Sequence, residues 1–108
     1  MNMESKEHLF EITAYTENQV GLLSSIAGIF TRRSINIEKL VVYPSRIDGI
    51  HKFKIVSRTT EELVKAVVLQ IEKKVDVVKA YYHIDERSLD EIRDVEEMLA
   101  ERENNNKQ

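Results

Sequence analysis

The segment TENQVGLLSSIAGIFTRRSINI, residues 16–37, decides the fold of this 108-residue chain. A polar loop with one glycine precedes a nearly continuous apolar run, which ends in two arginines and returns to β-branched residues. Apolar residues recur at helical spacing, and Arg32 and Arg33 stand where cations favour the C-terminal end of a helix dipole. We therefore predict a helix from Gln19 to Arg33. Its spaced apolar positions are Val20, Leu23, Ala27 and Phe30.

Three predicted strands flank this helix. Residues 8–16 alternate between apolar and polar side chains, which is the period of a half-buried strand. Residues 36–43 are rich in Ile, Val and Leu and stop at Pro44. The turn sequence SRIDG, residues 45–49, then leads into a strand over residues 50–58. We predict that the second and third strands form a hairpin.

The remainder of the domain repeats the helix-then-strand order. Thr59 and Glu62 have the spacing of a capping box, and the apolar face that follows predicts a second helix ending near Lys74. Alternation over residues 76–84 predicts a fourth strand. The order βαββαβ is that of an α+β, ferredoxin-like fold, a four-stranded antiparallel sheet with two helices on one face.

Residues 85–108 form a unit apart from the domain predicted over residues 1–84. Ser88 and Glu91 make another capping box, and an apolar stripe on a charged background predicts a C-terminal amphipathic helix over residues 85–103. The last residues, ENNNKQ, have the composition of a disordered segment. Residues 85–108 contain nine acidic and four basic residues, a net charge of −5. Residues 1–84 contain ten acidic and twelve basic residues, a net charge of +2.

Composition excludes several classes of protein. There is no cysteine, so disulfides, thiolate metal sites and cysteine nucleophiles are excluded. No apolar run reaches the roughly 20 residues of a membrane span, and the first residues lack the layout of a signal peptide. We expect a soluble, cytoplasmic protein with no membrane partner. A mildly basic body without clustered Lys and Arg also argues against nucleic acid as a partner.

The titratable residues do not form a catalytic pattern. His8, His51 and His83 fall on three different predicted strands without ligand spacing, so we predict no metal site and no general base. The carboxylates lie mostly on helix faces or in the tail, where they are usually solvated. Neither G-x-S-x-G, a phosphate loop nor H-E-x-x-H occurs, and the third strand lacks the aromatic pair of an RNA-binding module. We expect no catalytic residue.

The loop before the first helix has the chemistry of a binding site. Gly21 lets a ligand approach the helix start, where free N–H groups and the dipole attract a carboxylate. Asn18 supplies both a donor and an acceptor. These features suit a small zwitterion. Taken alone, however, the loop favours a structural role, in which Asn18 caps the helix and Gly21 relieves crowding against the strand.

The run ENQVGLLSSIAGIFTRRSINIEKLVVYPS resembles the ACT domain of the acetolactate synthase (acetohydroxyacid synthase) small regulatory subunit. Members of that family read E-N-x-x-G-x-L-S, a helix ending in F-x-R-R, then N-I-E-S-L and a proline. The later QIEKKVDV is similar to the family's Q-L-x-K-L-V-D-V segment. Matching positions are Glu17, Asn18, Gly21, Leu23, Ser24, Phe30, Arg32, Arg33, Asn36, Ile37, Glu38, Leu40, Pro44, Gln70, Lys73, Val75, Asp76 and Val77.

The resemblance implies a regulatory, non-catalytic subunit without a cofactor of its own. The implied partner is the catalytic subunit, which carries thiamine diphosphate. The regulatory subunit activates this partner. The effector is valine or a related branched-chain amino acid, which acts by feedback inhibition. In the family, the effector lies at a homodimer interface. By motif, the effector-binding residues are Asn18, Gly21 and Leu22 of one chain and Asn36 of the other.

The residues themselves also favour a dimer. The predicted first helix has a second apolar row, which lies about 100° from the first, so one row covers the sheet and the other is free for a partner. The second strand lies at a sheet edge in this fold, where an exposed apolar strand invites pairing. Burial of these side chains under local loops is the alternative. The second row consists of Leu22, Ile26 and Ile29.

Departures from the family pattern leave a second function open. Ser34 stands where members usually have glycine, and Val20 stands where they have serine or alanine. Many members continue into a second domain, so this chain resembles a short, single-domain form. The departures at Ser34 and Val20 allow a subunit that activates without feedback. A free-standing ACT domain that senses an amino acid for another enzyme or regulator is the alternative to an acetolactate synthase subunit, because the loop is common to both.

Overall fold

The computed structural model describes residues 6–17 and 21–106, and for residues 86–94 and 106 it describes the backbone alone. The helices and strands are, in chain order, β1 (Glu7–Glu17), α1 (Leu22–Arg32), β2 (Lys39–Pro44), β3 (Ile50–Thr60), α2 (Glu61–Glu72), β4 (Val77–Ile84) and α3 (Glu86–Asn106). The strands form one antiparallel sheet in the order β2-β3-β1-β4. The predicted ferredoxin-like βαββαβ arrangement is confirmed, with β2 at an edge.

The central strand β1 is buried on both faces, so the prediction of a half-buried strand is wrong. Glu11 and Thr13, which alternation assigned to the polar side, are 5% and 2% exposed. The reason is that β1 lies between β3 and β4, whose side chains flank it. The Lys54 ammonium lies 3.6 Å from the Glu11 carboxylate and partly compensates its charge.

Helices α1 and α2 pack on the same face of the sheet and enclose the core. The row Leu22, Ile26 and Ile29 of α1 is buried, whereas Leu23 is 46% exposed. The sheet therefore takes the second apolar row of α1 together with Phe30 of the first row, whereas Leu23 faces outward. The buried core cluster consists of Phe10, Ile12, Ala14, Leu22, Ile26, Ile29, Phe30, Ile35, Phe53, Ile55, Val64, Val67, Val68, Ile71 and Ala80.

Two predicted boundaries, the start of α2 and the start of β2, differ from the structure. Thr60, not Thr59, caps α2: its Oγ1 accepts a hydrogen bond from the Leu63 N–H at 3.2 Å, because β3 continues through Thr59, which is buried. The strand β2 begins at Lys39, three residues later than expected.

The C-terminal helix α3 is longer than predicted at its C-terminal end. It begins at Glu86, so Ser88 lies inside it rather than capping it. It continues to Asn106, through residues whose composition favoured disorder. Among the helices of the described residues, none is long and apolar enough to cross a membrane.

Candidate functional site

The loop between β1 and α1 is built around Gly21, the N-cap residue of α1. Gly21 has φ +89°, in the left-handed region that glycine adopts without steric cost. It has no side chain with which to cap the helix, and the Ser25 N–H makes the first helical bond to the Gly21 carbonyl at 3.0 Å. The N–H groups before Ser25 lack helical partners, and the positive end of the dipole favours an anion beside them.

Two clefts flank this helix start, and Gly21 and Leu22 line both. The first, of about 130 Å³, lies between the end of β1, the start of α1 and the β2–β3 hairpin; we call it the hairpin cleft. The second, of about 430 Å³, lies between α1 and the connection from α2 to β4, where Lys73 and Lys74 line it. The lining of the hairpin cleft includes Thr16, Gly21, Leu22, Val42, His51 and Phe53.

The predicted site residues do not all come together within one chain. Gly21 and Leu22 are adjacent, although the Leu22 side chain is only 7% exposed and belongs to the core. Asn36 is exposed and lines a separate cleft of about 360 Å³ at the far end of α1. Asn18 lies outside the described residues, as does Val20. One protomer therefore supplies two described parts of the predicted site at opposite ends of one helix.

Sequence reasoning missed two polar residues of the hairpin cleft, Thr16 and His51. They are directly opposite each other in the β1–β3 ladder, so their side chains share a face of the sheet. Thr16 is 1% exposed. Among the described residues, neither Thr16 Oγ1 nor His51 Nδ1 has a hydrogen-bond partner. Burying such a group unpaired costs about 1–3 kcal/mol.

The sequence contained a signal for Thr16. The inward-facing residues of β1 occur at every second position, Phe10, Ile12 and Ala14, and Thr16 is the next in this series. For His51 there was none, because its position opposite Thr16, 35 residues earlier in the chain, depends on the register of two strands. Periodicity assigns faces but not register.

Hydrogen bonds connect α1 and β1 to the segment between α2 and β4 at this end of the domain. The Lys74 ammonium donates to the Ser25 hydroxyl across the second cleft. The Glu17 N–H donates to the Asp76 carbonyl at 2.8 Å, which joins the end of β1 to the connection before β4. The end of β1 and the first turn of α1 are therefore both hydrogen-bonded to the connection between α2 and β4.

One pair of residues with displaced pKa values lies on the opposite face of the sheet. Tyr15 and Lys52 are cross-strand partners, each one residue away from the cleft pair, so their side chains point away from the cleft. A hydrogen bond with Lys52 lowers the pKa of the Tyr15 hydroxyl, and the same contact raises the pKa of Lys52. These shifts belong to the sheet face opposite the cleft and not to the candidate site.

The described cleft residues offer hydrogen-bond donors beside apolar walls, which is an arrangement for binding a small polar molecule. A sheet in the order β2-β3-β1-β4 with two helices on one face is the ferredoxin-like arrangement that ACT domains have. The ACT domain of a GTP pyrophosphokinase from Chlorobium tepidum matches this fold with a TM-score of 0.62. That match covers 72% of this chain and 100% of that chain, at 18% identity.

The family is shown by the sequence. The AHAS small subunit-like ACT domain model matches residues 12–79, and the chain belongs to that family. The probable acetolactate synthase small subunit of Methanothermobacter thermautotrophicus is 35% identical over 79 residues, which are 73% of this chain and 46% of the relative. The solved acetolactate synthase small subunit from Thermotoga maritima is 27% identical, with a TM-score of 0.61 over 71% of this chain and 47% of that one. The chain thus spans about half the length of these relatives.

Proposed function

We propose that this chain is a non-catalytic regulatory subunit of acetolactate synthase. It activates the catalytic subunit, which carries thiamine diphosphate, and mediates feedback inhibition by valine or a related branched-chain amino acid. The observation that carries the proposal is the match of residues 12–79 to the small-subunit ACT family. That segment includes the loop around Gly21, Asn36 and the residues of the hairpin cleft.

The effector site in this proposal needs two copies of the chain. The eleven residues of α1 separate Gly21 from Asn36, which is about 16 Å of helix. One small amino acid cannot span that distance within a protomer. A homodimer that places the start of α1 in one copy beside the end of α1 in the other supplies both residues to one ligand. The exposed edge strand β2, with Leu40 38% exposed, supports such pairing.

This arrangement gives a physical route for feedback. An effector that contacts both copies binds the dimer more tightly than the separated chains, and it therefore favours the dimer geometry that it fits. The catalytic subunit senses that geometry through its contact with the regulatory subunit. Couplings of this kind amount to about 1–3 kcal/mol, which suffices to change the activity of a partner several-fold.

The test is reconstitution with the acetolactate synthase catalytic subunit from the same source. The rate of acetolactate formation is measured with and without this chain, and then with valine, isoleucine or leucine. We expect activation by the chain alone and inhibition when an effector is added. Binding of the amino acid without activation would contradict the proposal and favour a free-standing amino-acid sensor that acts on another enzyme or regulator.

Two variants test the effector site within the same assay. Asn36→Ala removes a hydrogen-bonding side chain, and Gly21→Asp places a negative charge where the effector carboxylate approaches the helix start. Both should abolish inhibition and preserve activation. Gly49→Asp is the matched control, because Gly49 has a similar φ of +81° but lies in the β2–β3 turn. Inhibition that persists in both site variants would exclude Gly21 and Asn36 from the site.

A further inference from the structure

The hairpin cleft has more hydrogen-bonding capacity than its own residues use. The Thr16 hydroxyl is buried at 1% exposure and has no partner among the described residues, and the same holds for His51 Nδ1. The N-terminal N–H groups of α1, which begins at Leu22, open at the same cleft. Polar groups from two strands and one helix therefore meet at a cleft of about 130 Å³.

These groups share the ability to donate a hydrogen bond. A threonine hydroxyl donates one proton, an imidazole Nδ1 donates when it carries the ring proton, and backbone N–H groups only donate. A carboxylate accepts at about four lone-pair sites on two oxygens, so a single carboxylate can satisfy all of them. The positive end of the α1 dipole favours the same charge.

The other residues that line the cleft indicate the kind of ligand to which this carboxylate belongs. Val42 and Phe53 present apolar side chains, and the exposed Glu17 also lines the cleft, where its carboxylate can pair with an ammonium group. The volume is close to that of engineered apolar cavities, of about 150 Å³, which bind benzene. A small amino acid with an aliphatic side chain meets each of these conditions.

We propose that Thr16 and His51 bind the carboxylate of the amino-acid effector in the hairpin cleft, beside the N-terminus of α1. This assignment rests on the proposed amino-acid binding and adds two residues of the sheet to the loop residues. It also accounts for the two buried polar groups, which have no partner among the described residues and would be paired in the complex.

The test is calorimetric titration of the full chain with valine, isoleucine and leucine, together with thermal unfolding. Thr16→Val keeps the shape of the side chain and removes the hydroxyl, and His51→Leu removes the imidazole. We expect each variant to bind the effector at least about tenfold more weakly, because hydrogen bonds to a charged group are among the strong ones. Thr16→Ser retains the hydroxyl and should retain the affinity.

Thermal unfolding separates a binding role from a structural one. Replacing an unpaired buried hydroxyl with a methyl group of the same shape does not destabilise a protein. Thr16→Val should therefore unfold at the same temperature as the natural chain, or higher, while its affinity falls. Ser57→Ala and His8→Leu are matched controls, since Ser57 Oγ and His8 Nε2 are also buried and unpaired among the described residues but lie outside the cleft. Both controls should retain the affinity.

Ligand analogues identify the group that these residues contact. Isovalerate keeps the carboxylate of the effector and lacks its ammonium, and isobutylamine lacks the carboxylate. Binding of isovalerate should weaken in Thr16→Val, whereas any binding of isobutylamine should not change. Effector binding that is equal in the natural chain, Thr16→Val and His51→Leu would overturn the assignment and leave the proposed function standing. No binding of any branched-chain amino acid to the natural chain would contradict both.

Discussion

Two residues with left-handed backbones bracket α1, Gly21 at its start and Ser34 after its end, where φ is +56°. Ser34 completes a Schellman motif: its N–H donates to the Thr31 carbonyl at 3.0 Å, and the Ile35 N–H donates to the Phe30 carbonyl at 2.9 Å. Ile35 and Phe30 are both buried in the core. The serine that departs from the family's glycine therefore keeps the conformation that glycine favours.

Ser34→Gly should stabilise the chain. A non-glycine residue in the left-handed region carries a steric cost of about 1–2 kcal/mol, part of which is offset by the greater freedom of glycine in the unfolded chain. We expect the free energy of unfolding to rise by about 1 kcal/mol in a denaturant titration. The control is Ser24→Gly inside α1, which should lower it by about 0.5 kcal/mol. A loss of stability in Ser34→Gly would contradict the left-handed assignment.

Gly21→Ala tests the backbone of the loop without a steric clash. A Cβ at Gly21 or at Gly49 meets no atom within 4 Å, so the cost comes from φ alone. We expect both alanine variants to lose about 1–2 kcal/mol of unfolding free energy. Gly28→Ala should lose less or gain, because its Cβ meets only the flexible end of Arg32 within α1. Equal stability of Gly21→Ala and the natural chain would show that the loop does not require glycine.

At the scale of the elements, tertiary packing settled what periodicity left open. The alternation and helical spacing in the sequence predicted the order of the elements of the domain, because each has one apolar face that must be buried. They did not decide which apolar row of α1 meets the sheet. Nor did they decide which of two adjacent threonines caps α2. Both carry a hydroxyl that can accept the capping hydrogen bond, and the choice depends on how far β3 extends. The pairing of Thr16 with His51 depends on strand register, which is a property of the assembled sheet.

Thr60→Ala tests the cap of α2 directly. The substitution removes the acceptor of the Leu63 N–H and should lower the free energy of unfolding by about 1 kcal/mol. Thr60→Ser keeps an acceptor at the same position and should retain most of the stability. Circular dichroism during denaturant titration measures both. If the serine and alanine variants were equally destabilised, the hydroxyl would have no capping role.

At the scale of the whole molecule, β2 is the edge strand of the sheet on the side away from β4. Leu40, Val42 and Tyr43 of β2 are each more than a third exposed. An apolar edge of this kind is a template for a second copy. The proposed effector site, which needs Gly21 from one chain and Asn36 from another, depends on such a dimer.

Leu40→Lys should separate the proposed dimer without unfolding the chain. A charge on the edge strand opposes pairing between copies, and Leu40 is exposed enough for lysine to reach solvent in the monomer. Leu69→Lys is the control, because Leu69 is 61% exposed and lies on α2 rather than on the edge strand. Sedimentation equilibrium should give a dimer for the natural chain and Leu69→Lys and a monomer for Leu40→Lys. Dimers of undiminished strength in Leu40→Lys would place the interface elsewhere.

The central claim is that this domain binds a branched-chain amino acid, and the direct measurement is calorimetric titration of the natural chain. Valine, isoleucine and leucine are the ligands, and serine and glycine are the controls. Pockets of this kind separate aliphatic side chains by about 1–3 kcal/mol per methylene, so the three ligands will differ in affinity. We predict saturable binding of at least one of them and none of glycine. Absence of binding to all three, or equal binding of glycine, would contradict the account.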